Sequence, residues 1–268
     1  MPIRQYVCVL GTTIPWYGIC VGVALLVIGI WMIHNFRLFK MNGDEQNAIL
    51  FRFPFMVLFG VLVAFVMDAL FTGDWKTWLG PMEGRRAGFT FTGWLLGVIV
   101  FLLVFGGRSP LGRGFLLNMF LPIFALAQAI GRVGCFLSGC CYGIPCNCGV
   151  RYPAGSLPHS FVGNTSLLPV QLYEACALAL LFLVCISLAF RVRAAVYLFG
   201  VGVIRFMAEF FRYDHRGDFF GLSVLSPQQC MSVLFVMMGV CILLVELHRP
   251  ESCWSCGKSL DDEGSQLR

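Results

Sequence analysis

Two arginines stand where arginine is expensive. Arg132 lies near the end of an apolar run, Phe115 to Ile130, and Arg205 sits inside another. An arginine at mid-membrane costs about 2.5–3.5 kcal/mol on insertion scales, so a chain keeps one where it faces a polar cavity, a partner or an anionic ligand. Two such cations point to a site for a lipid phosphate. Guanidinium groups match phosphate oxygens bidentately and stay protonated in apolar surroundings. The acids within apolar segments are few: Asp68, Glu174 and Glu209. Arg205 and Glu209 are four residues apart, which puts them on one helix face and permits an ion pair. The plain alternative is that these charges neutralise one another and only hold helices together.

Sulfur is the second chemical signal. The chain has 13 cysteines. Cys8, Cys20, Cys176, Cys185, Cys230 and Cys241 lie in or beside apolar runs, where cysteine behaves as a small hydrophobe. Cys135, Cys140, Cys141, Cys146 and Cys148 cluster as C-x4-C-C-x4-C-x-C. Three readings stay open: a disulfide in an oxidising compartment, a metal site, although the spacing fits no standard zinc pattern, and reactive thiols with a direct role. Cys253 and Cys256 form one CxxC in the tail; a zinc site there would need two more ligands.

The elements that must position these groups are membrane helices. The chain is 58% hydrophobic and 12% charged over 268 residues, against about 25% charged in a soluble domain. This is the composition of an all-α integral membrane protein. It excludes a soluble enzyme, and no basic run resembles a nucleic-acid tract. Hydropathy gives seven spans: Ile14–Ile33, Phe53–Phe71, Phe89–Phe105, Phe115–Phe136, Val170–Phe190, Ala194–Phe211 and Gln228–Val245. The first is too long for the apolar core of a cleavable signal peptide. Residues 1–247 form one transmembrane unit, and 248–268 a short cytoplasmic tail. With the N-terminus outside, Arg37, Lys40, Arg52, Arg108, Arg113, Arg191, Arg193, Arg249, Lys258 and Arg268 fall inside. Arg4, Lys76, Arg85, Arg86, Arg151, Arg212 and Arg216 fall outside. That bias favours N-out and C-in. It places the end of the fourth span, the 142–169 loop and the 212–226 loop on the outer face.

Three segments carry a resemblance to a known family. They are GRVGCFLSGCCYG at 131–143, PVQLYEA at 169–175 and IRFMAEFFRYD at 204–214. A weaker one is GFTFTGWLLGV at 88–98, and Gly221 to Gln228 is similar to the family's final loop. Together, in this order, they resemble the prolipoprotein diacylglyceryl transferases, over roughly residues 50–245. The resemblance implies seven transmembrane helices with the N-terminus outside. It implies transfer of the diacylglyceryl group of phosphatidylglycerol to the thiol of a lipobox cysteine in a pre-prolipoprotein signal region. That reaction makes a thioether and releases glycerol phosphate, with no metal or cofactor required. By position, Arg132 and Arg205 match the family's two essential arginines. Glu209 and Arg212 match their neighbours on the sixth helix, and Tyr173 and Glu174 the pair on the fifth. Thr92, Gly93 and Gly134 fall on family site positions.

The chain departs from the family pattern at several of these positions. Cys135 and Ser138 replace the signature asparagines, and Cys140 replaces its glutamate. Thr92 stands where the family has a histidine, and Leu168 replaces the histidine before the fifth-helix proline. His215 and Glu174 are the candidates left for a general base. The sequence therefore supports a lipid-group transferase in a bacterial cytoplasmic membrane, with Arg132, Arg205, Glu209 and Glu174 as catalytic candidates. Tyr173, Arg212, Thr92, Gly93 and Gly134 are substrate-binding candidates, and Cys135, Cys140 and Cys141 candidates for a thiol role. Two other classes compete. A non-catalytic lipid-binding scaffold would fit the missing polar residues. A membrane thiol oxidoreductase would use the 135–148 cysteines but leave both arginines unexplained.

Overall fold

A computed structural model describes residues 6–9, 12–72, 90–109, 111–213 and 225–248. His215, the Cys253–Cys256 pair, and the outer-loop charges Lys76, Arg85, Arg86 and Arg216 lie outside the described residues. Among the described residues most of the chain is helical. The long helices are α1 (Trp16–Leu38), α2 (Gly43–Thr72), α3 (Phe91–Phe105), α4 (Gly112–Ser138), α6 (Val170–Ser187), α7 (Arg193–Glu209) and α8 (Pro227–His248). A one-and-a-half-turn helix, α5 (Leu157–Val162), interrupts the loop between α4 and α6. Each long helix falls on one of the seven apolar runs. Five of them, α1, α2, α4, α6 and α8, are long and apolar enough to cross a membrane by length and composition. The 15-residue α3 is apolar but short, and α7 has 17 residues.

The helix ends depart from the hydropathy boundaries for local reasons. Thr12–Pro15 is extended and pairs antiparallel with Tyr6–Val9, so α1 begins at Trp16 rather than Ile14. Proline holds the residue before it in the extended region, which delays the helix. The second helix starts ten residues before the apolar run, at Gly43. Asn42 Oδ1 accepts from the Glu45 backbone N–H at 2.8 Å, and the Asn42 N–H donates to Glu45 Oε2 at 2.9 Å. This reciprocal capping box draws the polar residues 43–47 into the helix. Gly139 ends α4 in the left-handed region at φ 72°, the conformation that glycine takes without penalty at a helix C-terminus.

The fourth helix is the centre of the bundle. Of its most apolar window 72% is buried, compared with 11% for α1 and 22% for α2. Helices α1 and α6 lie against α4, α2 pairs with α3, and α7 pairs with α8. Small residues set the closest approaches. A Cβ on Gly97 would sit 2.8 Å from the Gly60 Cα, and one on Gly202 would sit 2.6 Å from the Ser232 carbonyl oxygen. Lipid chains are as apolar as leucine, so close backbone packing of this kind is what holds membrane helices together.

The two ends of the bundle differ in character. At one end the rings of Phe39, Phe115 and Phe190 pack against one another, Phe39 edge-on to the other two, and Asn118 Oδ1 accepts from the Ala194 N–H at 2.8 Å. At the other end, the C-termini of α4 and α7 meet the N-termini of α6 and α8, and charged side chains collect there.

Candidate active site

Glu174, in the first turns of α6, is the hub of the polar end. Its Oε2 lies 3.0 Å from Arg132 Nε on α4, and its Oε1 accepts from Arg205 Nη1 on α7 at 2.8 Å. Arg205 Nη2 in turn reaches Glu209 Oε2 at 3.4 Å, one helical turn on. Arg212 Nε is 4.0 Å from the same Glu209 oxygen. Ser226, just ahead of α8, donates its hydroxyl to Glu209 Oε1 at 3.2 Å. The result is an alternating row, Arg132–Glu174–Arg205–Glu209–Arg212, drawn from α4, α6, α7 and the segment just after α7. Three guanidiniums face two carboxylates, so the row carries one excess positive charge.

Burial grades along the row. The Glu174 and Arg205 side chains are almost wholly enclosed, whereas Arg132 keeps 14% of its side-chain surface accessible. The terminal nitrogens of Arg132 have no hydrogen-bond partner among the described residues. Its Nε is the nitrogen that pairs with Glu174, at 3.0 Å. Arg132 is thus the most accessible of the three arginines in the row.

The thiols adjoin this row. The sulfurs of Cys135, Cys140 and Cys141 all lie within 4.8 Å of one another, and all three residues are half-buried. Cys135 is one turn beyond Arg132 on α4. Arg132 and Arg212 are both near enough for their charges to act on Cys141. The backbone aims Cys141 unusually, with φ at 59°. Its contacts with Cys135 and Cys140, helped by the two arginines, hold the Cys141 thiol well below the ordinary thiol range. The same contacts push Cys140 upward. Gln171 clamps this turn: its Nε2 donates to the Cys140 carbonyl at 2.8 Å and to the Tyr152 hydroxyl at 3.3 Å. Burial pushes the Tyr152 hydroxyl up to about 12.

The loops are sewn to the same end. The Tyr213 N–H donates to the Tyr142 carbonyl at 3.1 Å, the Ile144 N–H to the Phe211 carbonyl at 3.0 Å, and the rings of Tyr142 and Tyr213 stack. These pairings fix Arg212 beside Gly143.

The remaining candidates distribute unevenly. Thr92 is buried and donates to Gln228 Oε1 at 2.8 Å, tying α3 to the first turn of α8 two residues from Ser226. Gly93 is a packing position: a Cβ there would meet Ala64 Cα at 2.9 Å and Thr90 Oγ1 at 2.7 Å. Gly134 gives α1 room, since a Cβ would lie 2.9 Å from Cys20 Cβ and 3.3 Å from the Tyr17 ring. Tyr173 is 57% exposed. Tyr17, Gln171, Ser226 and Gln228 join the site without having been singled out by residue type. The glutamines and the serine sit at helix starts, and only their helix partners reveal them.

Comparison with known proteins shows which family the chain belongs to. The model of the family described as prolipoprotein diacylglyceryl transferase matches residues 5–245. The chain belongs to the prolipoprotein diacylglyceryl transferase family. It is similar to proteins named phosphatidylglycerol–prolipoprotein diacylglyceryl transferase from several bacteria. The one from Dehalococcoides mccartyi is 31% identical over 193 residues, covering 67% of this chain and 68% of the relative. The one from Aromatoleum aromaticum is 30% identical over 246 residues, covering 86% and 90%. That from Chlamydia caviae is 27% identical over 267 residues, covering 85% of each. The chain is thus a multi-pass membrane enzyme of lipid-group transfer, and the charged row lies among the segments that carry the family resemblance.

Proposed function

We propose that the enzyme takes the diacylglyceryl group of phosphatidylglycerol and transfers it to the thiol of a lipobox cysteine in a pre-prolipoprotein signal region. It works at the outer face of a bacterial cytoplasmic membrane, with seven spans, the N-terminus outside and the C-terminus in the cytoplasm. The observation that carries this reading is the convergence of Arg132 and Arg205 on the two oxygens of Glu174, with the fork of Arg132 left open.

In this reaction the glyceryl carbon–oxygen bond breaks and the electron pair leaves on the phosphate. Negative charge grows on oxygens that a fixed guanidinium can meet without reorganising, and such preorganised stabilisation is usually the largest catalytic contribution. Arg132 takes the phosphate bidentately. Glu174 is a positioning residue: both its oxygens are committed to arginines, so it holds the two forks in place and is ill suited to collect a proton. Glu209, fixed by Ser226, does the same for Arg205 and Arg212. Gly93 and Gly134 keep α3 and α1 close enough to wall the site. Thr92 braces α8 through Gln228.

The test is direct. The full chain in detergent is incubated with labelled phosphatidylglycerol and a lipobox peptide, and the peptide is analysed by mass spectrometry. A diacylglyceryl thioether on the cysteine, absent from a serine-substituted peptide, is the expected result. Unmodified peptide with folded protein contradicts the reading.

A further inference from the structure

The charged row leaves the acceptor thiol without an evident base. Among the described residues, both carboxylates of the row are engaged with arginines, and Glu209 also accepts from Ser226. A free thiol at neutral pH is only a few per cent thiolate, and the thiolate is the nucleophile. The groups beside the row that could change this are Cys135, Cys140 and Cys141.

We propose that Cys135, Cys140 and Cys141 form a three-thiolate zinc site whose fourth position takes the acceptor cysteine and delivers it as a metal-bound thiolate. The proposal rests on the transferase reading above for its acceptor.

The geometry fits. Zinc–sulfur bonds of about 2.3 Å in a tetrahedron put sulfurs about 3.8 Å apart. Three sulfurs already within 4.8 Å of one another need to close by only about 1 Å to reach it. The linear spacing is no guide to this. Cys135 comes from the last turn of α4, and the left-handed Gly139 turns the chain back so that Cys140 and Cys141 face it. The left-handed Cys141 backbone completes the turn. Catalytic zinc sites hold three protein ligands and keep one position open, and the half-burial of all three cysteines provides an accessible face. Soft thiolates select zinc or another thiophilic ion.

The surroundings suit an anionic cluster. Arg132 and Arg212 face it, and their charges offset the negative charge of several thiolates around one dication. The Gln171 amide anchors the Cys140 carbonyl and so fixes the ligand turn, the role that outer-shell hydrogen bonds play in metal sites.

The step balances. The acceptor thiol loses its proton to solvent on binding, since a coordinating thiol is deprotonated outright. Its sulfur attacks the glyceryl carbon, the carbon–sulfur bond forms, and the carbon–oxygen bond to the phosphate breaks. Glycerol phosphate departs with the electron pair, beside Arg132. The neutral thioether is a poor ligand and leaves the metal. No oxidant or reductant takes part.

The experiment uses the full chain purified in detergent with reductant, loaded with Zn2+ or Co2+. Metal analysis is expected to find about one zinc per chain. Cys140→Ser should weaken binding by more than about 100-fold, the upper range for losing an outer-shell partner, while Cys176→Ser on the exposed side of α6 keeps it. The cobalt form is expected to show tetrahedral sulfur-ligated spectra that shift with a lipobox peptide and not with its serine version. Removing the metal should slow transfer at pH 7 about 30-fold, the gain in thiolate fraction that zinc supplies to a thiol of ordinary pKa. The proposal is overturned by zinc retention no greater than in the Cys135/Cys140/Cys141→Ser variant. It is equally overturned by an intact mass lighter by two hydrogens that reductant restores, which would make the cluster a disulfide. Undiminished transfer by metal-free protein sinks the zinc step and leaves the transferase reading intact. A peptide-responsive cobalt spectrum with no thioether formed keeps the metal site and overturns the transfer step.

Discussion

Arg205 Nη1 donates to Glu174 Oε1 at 2.8 Å, between two side chains that are 4% and 2% exposed. Breaking a buried ion pair from one side strands the other charge and costs about 3–5 kcal/mol. Glu174→Ala strands two arginines at once. Its melting temperature in detergent should fall further than that of Arg132→Ala, because Arg132 retains access to water. Equal melting temperatures for wild type and Glu174→Ala would show that the row contributes nothing to folding.

Arg132→Lys should lose nearly as much turnover as Arg132→Ala. Lysine keeps the charge and loses the planar fork. If the fork meets the departing phosphate only as the bond breaks, kcat falls and KM for phosphatidylglycerol moves little. Steady-state kinetics of both variants separate the cases. A lysine variant close to wild type would show that charge alone suffices.

Gly143 sits where three segments meet. A Cβ there would lie 2.5 Å from Val170 Cγ2, 2.6 Å from the Leu168 carbonyl oxygen and 2.8 Å from the Phe211 carbonyl oxygen. Overpacking of this kind costs about 1–3 kcal/mol. It would also push away the strand that holds Arg212. Gly143→Ala should therefore lower both thermal stability and turnover. A variant that matches wild type in both would show that the 142–144 and 211–213 segments are free to part.

Much of this was legible in the sequence, for identifiable reasons. Apolar length announces a membrane helix, so the positions of the long helices followed from hydropathy. The charges inside those helices stood out because lipid makes each one costly, and Arg132, Glu174, Arg205 and Glu209 do meet. The sequence could not show that Glu174 splits its two oxygens between Arg132 and Arg205, since that needs three helices at once. The i, i+4 spacing exposed only the Arg205–Glu209 contact. Tyr173, adjacent to Glu174 in sequence, turns outward, because neighbours on a helix face different ways. The sequence marked Cys135, Cys140 and Cys141 as thiol candidates, but that their sulfurs meet depends on the turn at Gly139, which linear spacing does not reveal. The capped start of α2 was missed because residues 43–47 are polar and Arg52 interrupts the apolar run that follows.

Topology is open to a separate check. On the proposed orientation, which the charge bias favours, the 142–169 loop lies outside. Reporter fusions after Arg193 and at the C-terminus should both score cytoplasmic. A C-terminal fusion active only outside the cytoplasm would reverse the orientation and move the site to the wrong face for a translocated acceptor.

The central claim is that Arg132 and Arg205 form one phosphate site that drives cleavage of the lipid. The measurement is release of labelled glycerol phosphate from phosphatidylglycerol by wild type, Arg132→Ala and Arg205→Ala in detergent, with the lipobox peptide present and folded protein quantified in each case. The account predicts that both variants lose turnover by at least about 100-fold, the usual scale for removing one preorganised charge-stabilising donor, while Arg132→Ala stays folded. Wild-type release by both variants would contradict it and leave the arginine row a purely structural feature.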